Sequence, residues 1–256
     1  QSTDAADLSG ISTTAVTAAG TLAEGVTQTF TGNLGSAAVT ISSSGNGVDE
    51  IFNVDGATMG TATFTVNANA TLQGTAAKLN GVTATGAGTT AVTALHSTLN
   101  ADLSDIDTNT TTAAFDGNGT FIGTLDGAVV TVGDGFTITA AATKVAGETV
   151  NKVTNGKLAV TVGTGDAGVN LTTISGTAID SVTVTENVTF TGTLHGSVAT
   201  TVANGVTLIT TAAKATGKSI GDGADSATTE ITALEATDAA DLSGISTTAV
   251  TAAGTL

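Results

Sequence analysis

A short apolar–Thr–apolar triplet returns along the whole chain, and its alternation predicts β-strands. The two apolar residues of a triplet point to one face of a strand and the threonine to the other, because successive side chains of a strand alternate. Successive triplets lie 18 to 31 residues apart. The clear examples are Val39–Ile41, Phe64–Val66, Val92–Ala94, Val130–Val132, Val160–Val162, Val182–Val184 and Ile231–Ala233, and the weaker ones are Val16–Ala18, Thr111–Ala113 and Thr200–Val202.

Glycine-rich pieces between the triplets predict sharp corners. Examples are Ser44–Gly47, Gly117–Gly119 and Gly133–Gly135, and glycine supplies the positive φ that tight corners require. A strand, a corner and another strand at a spacing of about 23 residues is typical of a parallel β-solenoid (β-helix), in which each coil stacks on the previous one. At a strand separation of ~4.8 Å, ten coils would extend for about 48 Å.

The alternative all-β architecture is a row of tandem antiparallel β-sandwich domains. Sandwich cores usually bury large aromatic residues, whereas aromatic residues make up 3% of this chain. The sequence therefore favours the solenoid. Helical turns are expected at most at 75–79 and 139–145.

An exact repeat sets the organisation of the chain. Residues 3–22, TDAADLSGISTTAVTAAGTL, return letter for letter as residues 237–256. A repeat of this length is read before any other feature. We expect residues 1–236 to hold one full repeat of 234 residues that forms one continuous solenoid, and residues 237–256 to be the start of the next copy.

Weaker internal repeats divide the long repeat into three blocks, about 3–88, 89–155 and 156–236. A Phe-x-Gly-x-Leu motif appears in each block, at Phe30–Leu34, Phe121–Leu125 and Phe190–Leu194. A closing motif, Thr/Ala-Ala-Ala/Thr-Lys followed by glycine, appears at Thr75–Gly81, Ala141–Gly147 and Thr211–Gly217. The frame Ala101–Ile106 also matches Ala6–Ile11.

The composition supports a folded β protein. Hydrophobic residues make up 40% of the chain and charged residues 11%, whereas disorder requires low hydrophobicity and high charge. The absence of proline suits continuous strand ladders, since proline cannot donate a ladder hydrogen bond. The absence of cysteine excludes disulfides and thiolate metal sites.

The net charge of −16 argues against nucleic acid and anionic membrane surfaces as partners, because both require a basic face. No apolar run is long enough to span a bilayer, so no membrane insertion is expected. Divalent cations are the charged partners that remain.

The best candidate for a metal site is the acidic group Asp102, Asp105 and Asp107, because Ca²⁺ prefers carboxylate and carbonyl oxygens in loops. Calcium is thus the one cofactor under consideration. The alternative is that these residues, like the other acidic groups such as Asp49, Glu50 and Asp55, are solvated acids at turns.

Other candidate chemistry is weak. His96 and His195 lie far apart in Thr-rich segments, and the chain contains neither a metalloprotease helix motif nor a P-loop nor a nucleophile elbow. Residues 163–168 match GxGxxG without a strand–helix context, so a corner is predicted there. Catalysis is therefore not expected.

The segments ADLSGI (6–11), VTFTGTLHG (188–196) and VANGVTL (202–208), with the closing motifs, resemble the low-complexity repeats of giant bacterial cell-surface proteins, adhesin-like or filament-forming. The resemblance covers essentially the whole chain and implies β-solenoid repeats, secretion and a structural or adhesive role. It implies no catalytic residues.

Two functions follow as hypotheses. The first is a non-catalytic structural protein, a repeat of an extracellular filament or surface-layer stalk whose partners are other copies of itself, end to end. The second is a stalk repeat of a large adhesin, rigidified by calcium and exposed to surface glycans. An enzyme of the β-helical polysaccharide-lyase kind is a third and weaker alternative.

Overall fold

The computed structural model describes residues 2–4, 16–44, 50–176, 179–223, 226–235 and 239–255. The strands are β1 Ser2–Asp4, β2 Val16–Leu22, β3 Thr27–Phe30, β4 Ala37–Ser43, β5 Ile51–Asn53, β6 Thr63–Val66, β7 Thr71–Thr75, β8 Ala84–Thr93, β9 Ile106–Phe115, β10 Gly119–Phe121, β11 Val129–Val132, β12 Thr137–Ala141, β13 Thr149–Lys152, β14 Lys157–Val162, β15 Ser175–Gly176, β16 Ser181–Val184, β17 Val188–Thr189, β18 Thr200–Val202, β19 Thr207–Thr211, β20 Ile220–Asp222, β21 Thr228–Glu235, β22 Ile245–Ser246 and β23 Ala249–Thr255.

Short helices lie at some of the corners. The α-helical turns are α1 Ala76–Leu79, α2 Ala142–Val145 and α3 Ala212–Ala215, and 3-10 turns cover Leu95–Ser97, Thr164–Asp166 and Leu171–Thr173. None of the helices in the described ranges has the length and apolar character needed to cross a membrane.

The chain folds as stacked parallel strands. Each strand pairing described between named strands is parallel. The strands form about 11 solenoid turns. The prediction of an all-β parallel β-solenoid is therefore confirmed, and the predicted number of coils, about ten, is close to the observed number.

The residues cluster into two compact units, which do not coincide with the three sequence blocks. Unit 1 comprises Gln1–Asn118 and Ile122–Gly133, and unit 2 comprises Gly119–Phe121 and Asp134–Leu256. The blocks describe similarity of sequence, whereas the units describe which residues contact each other. The expected single continuous solenoid over residues 1–236 stays a prediction.

Unit 1 contains two stacks of strands. One stack runs β1-β3-β5-β7-β8-β9-β11, and the other runs β2-β4-β6-β8-β9. The long strands β8 and β9 belong to both stacks, and their register shifts between Gly86 and Thr89. Gly86 has φ +119°, and a Cβ there would overlap the carbonyl oxygen of Val66. Glycine at this bend lets the main chain of one turn lie directly against the next.

Unit 2 is built in the same way. Its main stack runs β10-β12-β14-β16-β18-β20-β22, a second runs β17-β19-β21-β23, and β13 pairs with β15. Each turn thus supplies strands to more than one side of the solenoid. The core lies between these sides.

The predicted faces of the triplets are confirmed. In β4, β6, β11, β14 and β16 both apolar residues of the triplet are buried, while the central threonine is half-buried or exposed. The large side chains at the centre of the core include Phe64, Phe121 and Phe190. Burial of a side chain of this size stabilises the fold by about 1.5–3 kcal/mol.

Successive triplets are not always neighbours in space. Phe64 pairs with Ala84, 20 residues later, and not with the next triplet at Val92, which belongs to the other stack of unit 1. The length of a turn, measured between paired residues, is short from Ala113 to Val130 and long from β1 to β3. The single series of triplets in the sequence is therefore distributed over different sides of the solenoid.

The internal motifs form equivalent structures. In the Phe-x-Gly-x-Leu motif the Phe and Leu are buried, and the residue between Gly and Leu forms an isolated bridge to a neighbouring turn: Asn33 with Thr58, Thr124 with Asp102, and Thr193 with Asn170. The closing motifs form α1, α2 and α3, each followed by a glycine with positive φ: Gly81 (+65°), Gly147 (+84°) and Gly217 (+66°). Each motif thus encodes one kind of corner.

Candidate functional site

The predicted calcium residues Asp102, Asp105 and Asp107 lie at the corner that leads into β9, and all three are exposed. Asp102 Oδ1 accepts a hydrogen bond from the N–H of Ser104 at 3.1 Å, and the Asp102 carbonyl accepts one from the N–H of Gly81 at 2.9 Å. Among the described residues, no group of three or more His, Cys, Asp or Glu side chains is arranged to hold a metal ion. The structure does not bring these three carboxylates together as a ligand set.

The same corner returns in unit 2, where Asp241 corresponds to Asp102. Asp241 Oδ1 accepts hydrogen bonds from the hydroxyl of Ser243 at 2.6 Å and from its N–H at 3.0 Å. These two bonds, with the hydroxyl as the larger cause, hold the pKa of Asp241 below its ordinary value. Gly244 and Ser246 stand where unit 1 has its second and third aspartate. The first aspartate therefore has a structural role in both units.

A groove of about 480 Å³ opens beside β9 in unit 1. Its lining includes the carboxylates of Asp107 and Asp126 and the hydroxyls of Ser104, Thr108 and Thr110, without an aromatic side chain. Carboxylate and hydroxyl oxygens suit a hard cation or the hydroxyl groups of a sugar. The absence of an aromatic ring removes the usual stacking platform for a sugar.

Carboxylates at several corners accept hydrogen bonds from main-chain N–H groups of the neighbouring turn. Donor and acceptor lie 20 to 23 residues apart, which corresponds to one turn. The pairs are Thr75 N–Asp55 (2.6 Å), Thr143 N–Asp166 (2.8 Å), Asn155 N–Asp134 (3.0 Å), Leu158 N–Asp180 (2.7 Å) and Thr164 N–Glu186 (3.0 Å). Hydrogen bonds to an ionised acceptor are about twice as strong as neutral ones. These acids connect turns that are stacked along the axis.

Two of these acids form a continuous corner in unit 2. Asp166, which is 5% exposed, accepts the N–H of Thr143 on Oδ1 and the N–H of Gly163 on Oδ2 at 2.9 Å. Glu186 Oε2 accepts both the N–H and the hydroxyl of Thr164 at 3.0 Å. The N–H bond is the largest cause that holds the pKa of Glu186 below its ordinary value, followed by the hydroxyl bond. Three successive turns are thereby joined.

The GxGxxG match at residues 163–168 lies in this corner. It follows β14 and forms the 3-10 turn Thr164–Asp166, with the side chain of Asp166 bonded to the N–H of Gly163. A dinucleotide site requires a strand, a glycine-rich turn and a full α-helix whose N-terminus binds the pyrophosphate. The element sequence of this segment lacks that helix, and the predicted corner is observed.

The two histidines each contact a near neighbour. His96 Nδ1 contacts Asp116 Oδ1, and Gly117 packs so closely on the imidazole that a Cβ there would lie 2.7 Å from its Cγ. His195 Nδ1 lies 3.3 Å from the hydroxyl of Ser197. His96 and Asp116 form an exposed corner contact rather than a nucleophile–base pair, since no Ser, Thr or Cys hydroxyl or thiol is bonded to the ring among the described contacts.

One buried acid escaped the sequence analysis. Glu50 was grouped with surface acids, yet it is 1% exposed, and neither oxygen of its carboxylate has a hydrogen-bond partner among the described residues. Its carbonyl accepts the N–H of Thr71 at 2.9 Å. The polar segment before it carries no periodicity that would have marked the side chain as buried.

Comparison of the chain with protein-family models, with curated proteins and with solved structures finds no match. The argument for function therefore rests on the geometry of the chain itself.

Proposed function

We propose that this chain is a non-catalytic structural repeat of an extracellular filament or surface-layer stalk, extended by stacking solenoid repeats end to end. The observation that carries the proposal is the use of the acidic side chains. Asp55, Asp134 and Asp180 hold main-chain groups of adjacent turns. Side chains that act along the stacking axis contribute to the rigidity of a long object, and they are not free to serve a reaction.

The stacked strands support the same function. In a solenoid each turn contacts mainly its neighbours, so the array can be extended by further turns with nearly the same interactions. The net charge of −16 keeps separate arrays apart in solution. The resemblance to repeats of bacterial cell-surface proteins supports the extracellular location.

Imaging of the native material by cryo-electron microscopy tests this proposal. We expect filaments whose axial power spectrum has a layer line near ~4.8 Å, the separation of stacked strands. Separate beads at a wider spacing, or a monodisperse globular monomer in the native material, would contradict a filament or stalk built from stacked turns.

A stalk repeat of a large adhesin that is rigidified by calcium is the second candidate. The groove in unit 1 favours it, because Asp107 and Asp126 line the same groove of about 480 Å³. This function predicts that a chelator lowers the Tm, that added Ca²⁺ restores it, and that D107N/D126N abolishes the response. D134N, which changes an acid of unit 2, is the matched control. A Tm that does not change with chelator removes calcium from the proposal.

A further inference from the structure

The exact repeat allows one strand to be observed in two different settings. Strand β2, Val16–Leu22, pairs with β4 of the following turn in unit 1. Strand β23, Ala249–Thr255, contains the same residues from Val250 onward and pairs with β21 of the preceding turn in unit 2. A strand inside a parallel stack has one edge toward each of these neighbours. Together, the two copies identify the partner of each edge.

The core of unit 2 is open at β23. Leu208, Thr229 and Val250 are consecutive members of one column of paired residues. Leu208 and Thr229 are 0% exposed, whereas Val250 is 47% exposed. In the adjacent column Ile231 is buried and its partner Ala252 is exposed. Inward-facing apolar positions thus meet solvent at the edge of β23 that no described residue pairs with.

The matching surface lies beneath β2 in unit 1. Strand β4 places Ala37 (0% exposed) and Val39 (5% exposed) opposite Val16 and Ala18. The same pairing of β23 would place Val250 opposite Ala37 and Ala252 opposite Val39. Apolar positions would then be continuous from β21 through β23 into β4.

We propose that the free edge of β23 binds β4 of a second copy of this chain, in the place of that copy's own β2. The inference rests on the proposed function and names the joint of the filament. Because β2 and β23 are identical over the paired residues, the exchange conserves the pairing along β4. It covers the open core of unit 2 and returns conformational freedom to the displaced segment of the second copy.

A cysteine crosslink tests the joint, because the natural chain has no cysteine. Thr40 pairs with Ala19, and Ala253 is the copy of Ala19 in β23. An affinity-tagged T40C chain is mixed with an untagged A253C chain and oxidised at high protein concentration. Neighbouring residues of paired strands lie within the Cα separation that a disulfide spans, so a tagged–untagged dimer is expected.

Matched variants make the result specific. The register pairs Thr40 with Thr65 of the next turn, so a tagged T65C chain places its thiol one turn too far from Ala253 and should crosslink several-fold less. The double variant A19C/T40C should close its disulfide within one chain, which shows that the register permits the bond. A free peptide of residues 3–22, identical to both copies, should compete and reduce the T40C–A253C dimer, whereas a scrambled peptide should not.

The outcomes separate the joint from the function. A T40C–A253C dimer that exceeds the T65C level and is reduced by the peptide supports the exchange, even if the native material proves monomeric and overturns the proposed function. Equal crosslinking of T40C and T65C, or none, overturns the exchange, and filaments in the native material would then leave the proposed function standing with a different joint.

Discussion

At the scale of single residues, Asp166 shows how an acid can be part of the core of this fold. Its two carboxylate oxygens accept N–H groups from Thr143 and Gly163, on two different turns. A buried carboxylate is tolerated when its charge is satisfied by such bonds. Glu50 is the opposite case, because it is buried without a described partner for its carboxylate. Burial alone therefore does not tell whether an acid stabilises the fold.

The first residue-scale prediction concerns pH. The pKa of Glu186 lies below its ordinary value of 4.5 because of the bonds from Thr164. A lowered folded-state pKa means that the stabilisation is complete above the ordinary pKa and is lost as the pH falls through the lower value. We expect E186Q to lose less Tm than the natural chain between pH 6 and pH 3. Glu24 is exposed, and E24Q serves as the control; equal acid sensitivity of the natural chain and E186Q would contradict the prediction.

The second prediction concerns Glu50. Replacement by methionine keeps most of the side-chain volume and removes a buried carboxylate whose partners are not found among the described residues. We expect E50M to raise the free energy of unfolding by about 1–3 kcal/mol, measured by urea denaturation. E24M, at an exposed site, should have little effect. A large destabilisation would show that Glu50 is satisfied by a group beyond those described.

At the scale of elements, the same local sequence produces the same bend in both units. Thr108 donates its hydroxyl to the hydroxyl of Thr90 at 3.1 Å, and the corresponding Thr247 donates to Thr229 at 2.9 Å. Thr90 and Thr229 are both 0% exposed. A buried hydroxyl requires a partner, and this pair supplies one where the strand stacks change direction.

A glycine in a Phe-x-Gly-x-Leu corner gives the first element-scale prediction. A Cβ at Gly192 would overlap the carbonyl oxygen of Val169 and lie 2.8 Å from Phe190 Cζ. We expect G192A to lower the free energy of unfolding by roughly 2–4 kcal/mol, because main chain must move to admit the methyl group. G168A is the control, since a Cβ at Gly168 meets no atom within 4 Å. Similar stabilities of the two variants would contradict the close approach.

Asp180 gives the second element-scale prediction. It accepts the N–H of Leu158 at 2.7 Å and the ammonium of Lys152 at 2.9 and 3.0 Å. We expect D180A to cost roughly 1.5–3 kcal/mol, the range for hydrogen bonds to charged groups. K152M leaves the N–H bond intact and should cost less, since partly exposed ion pairs contribute little. If K152M proved as costly as D180A in thermal and urea unfolding, the ion pair rather than the bond between turns would be the important interaction.

At the scale of the whole molecule, the acidic charge and the open strand edge oppose each other. The net charge of −16 repels other copies, whereas the apolar positions of β23 attract a complementary strand. Salt screens charges over a Debye length of about 10 Å at 0.1 M. Association of copies should therefore depend on ionic strength.

We expect the weight-average mass of the chain to rise between 10 mM and 300 mM NaCl, because screening reduces the repulsion between acidic copies. Sedimentation velocity measures this directly. V250K, which places a charge on the exposed apolar position of β23, should suppress the rise, whereas V153K, at another exposed valine, should not. A rise that is equal in all three proteins would point to a surface other than β23.

Much of the fold could be predicted from local patterns. Alternation in segments such as Val160–Val162 identified strands and their buried faces, and the closing motif at Thr211–Gly217 indicated one kind of corner in each block. The candidate site was predicted less well. Asp102, Asp105 and Asp107 were selected because they are close in sequence, whereas the acids that act together, such as Asp166 and Glu186, lie on different turns.

The sequence by itself determined the strands, their faces, the corners and the repeat, because each depends on residues that are near one another in the chain. The tertiary structure decided which strands stack as neighbours, since turns of unequal length bring residues into register over the whole solenoid. It also decided that Asp180 reaches the main chain of Leu158 and that Glu50 is buried. These contacts are absent from any local pattern because they arise only when one turn lies on the next.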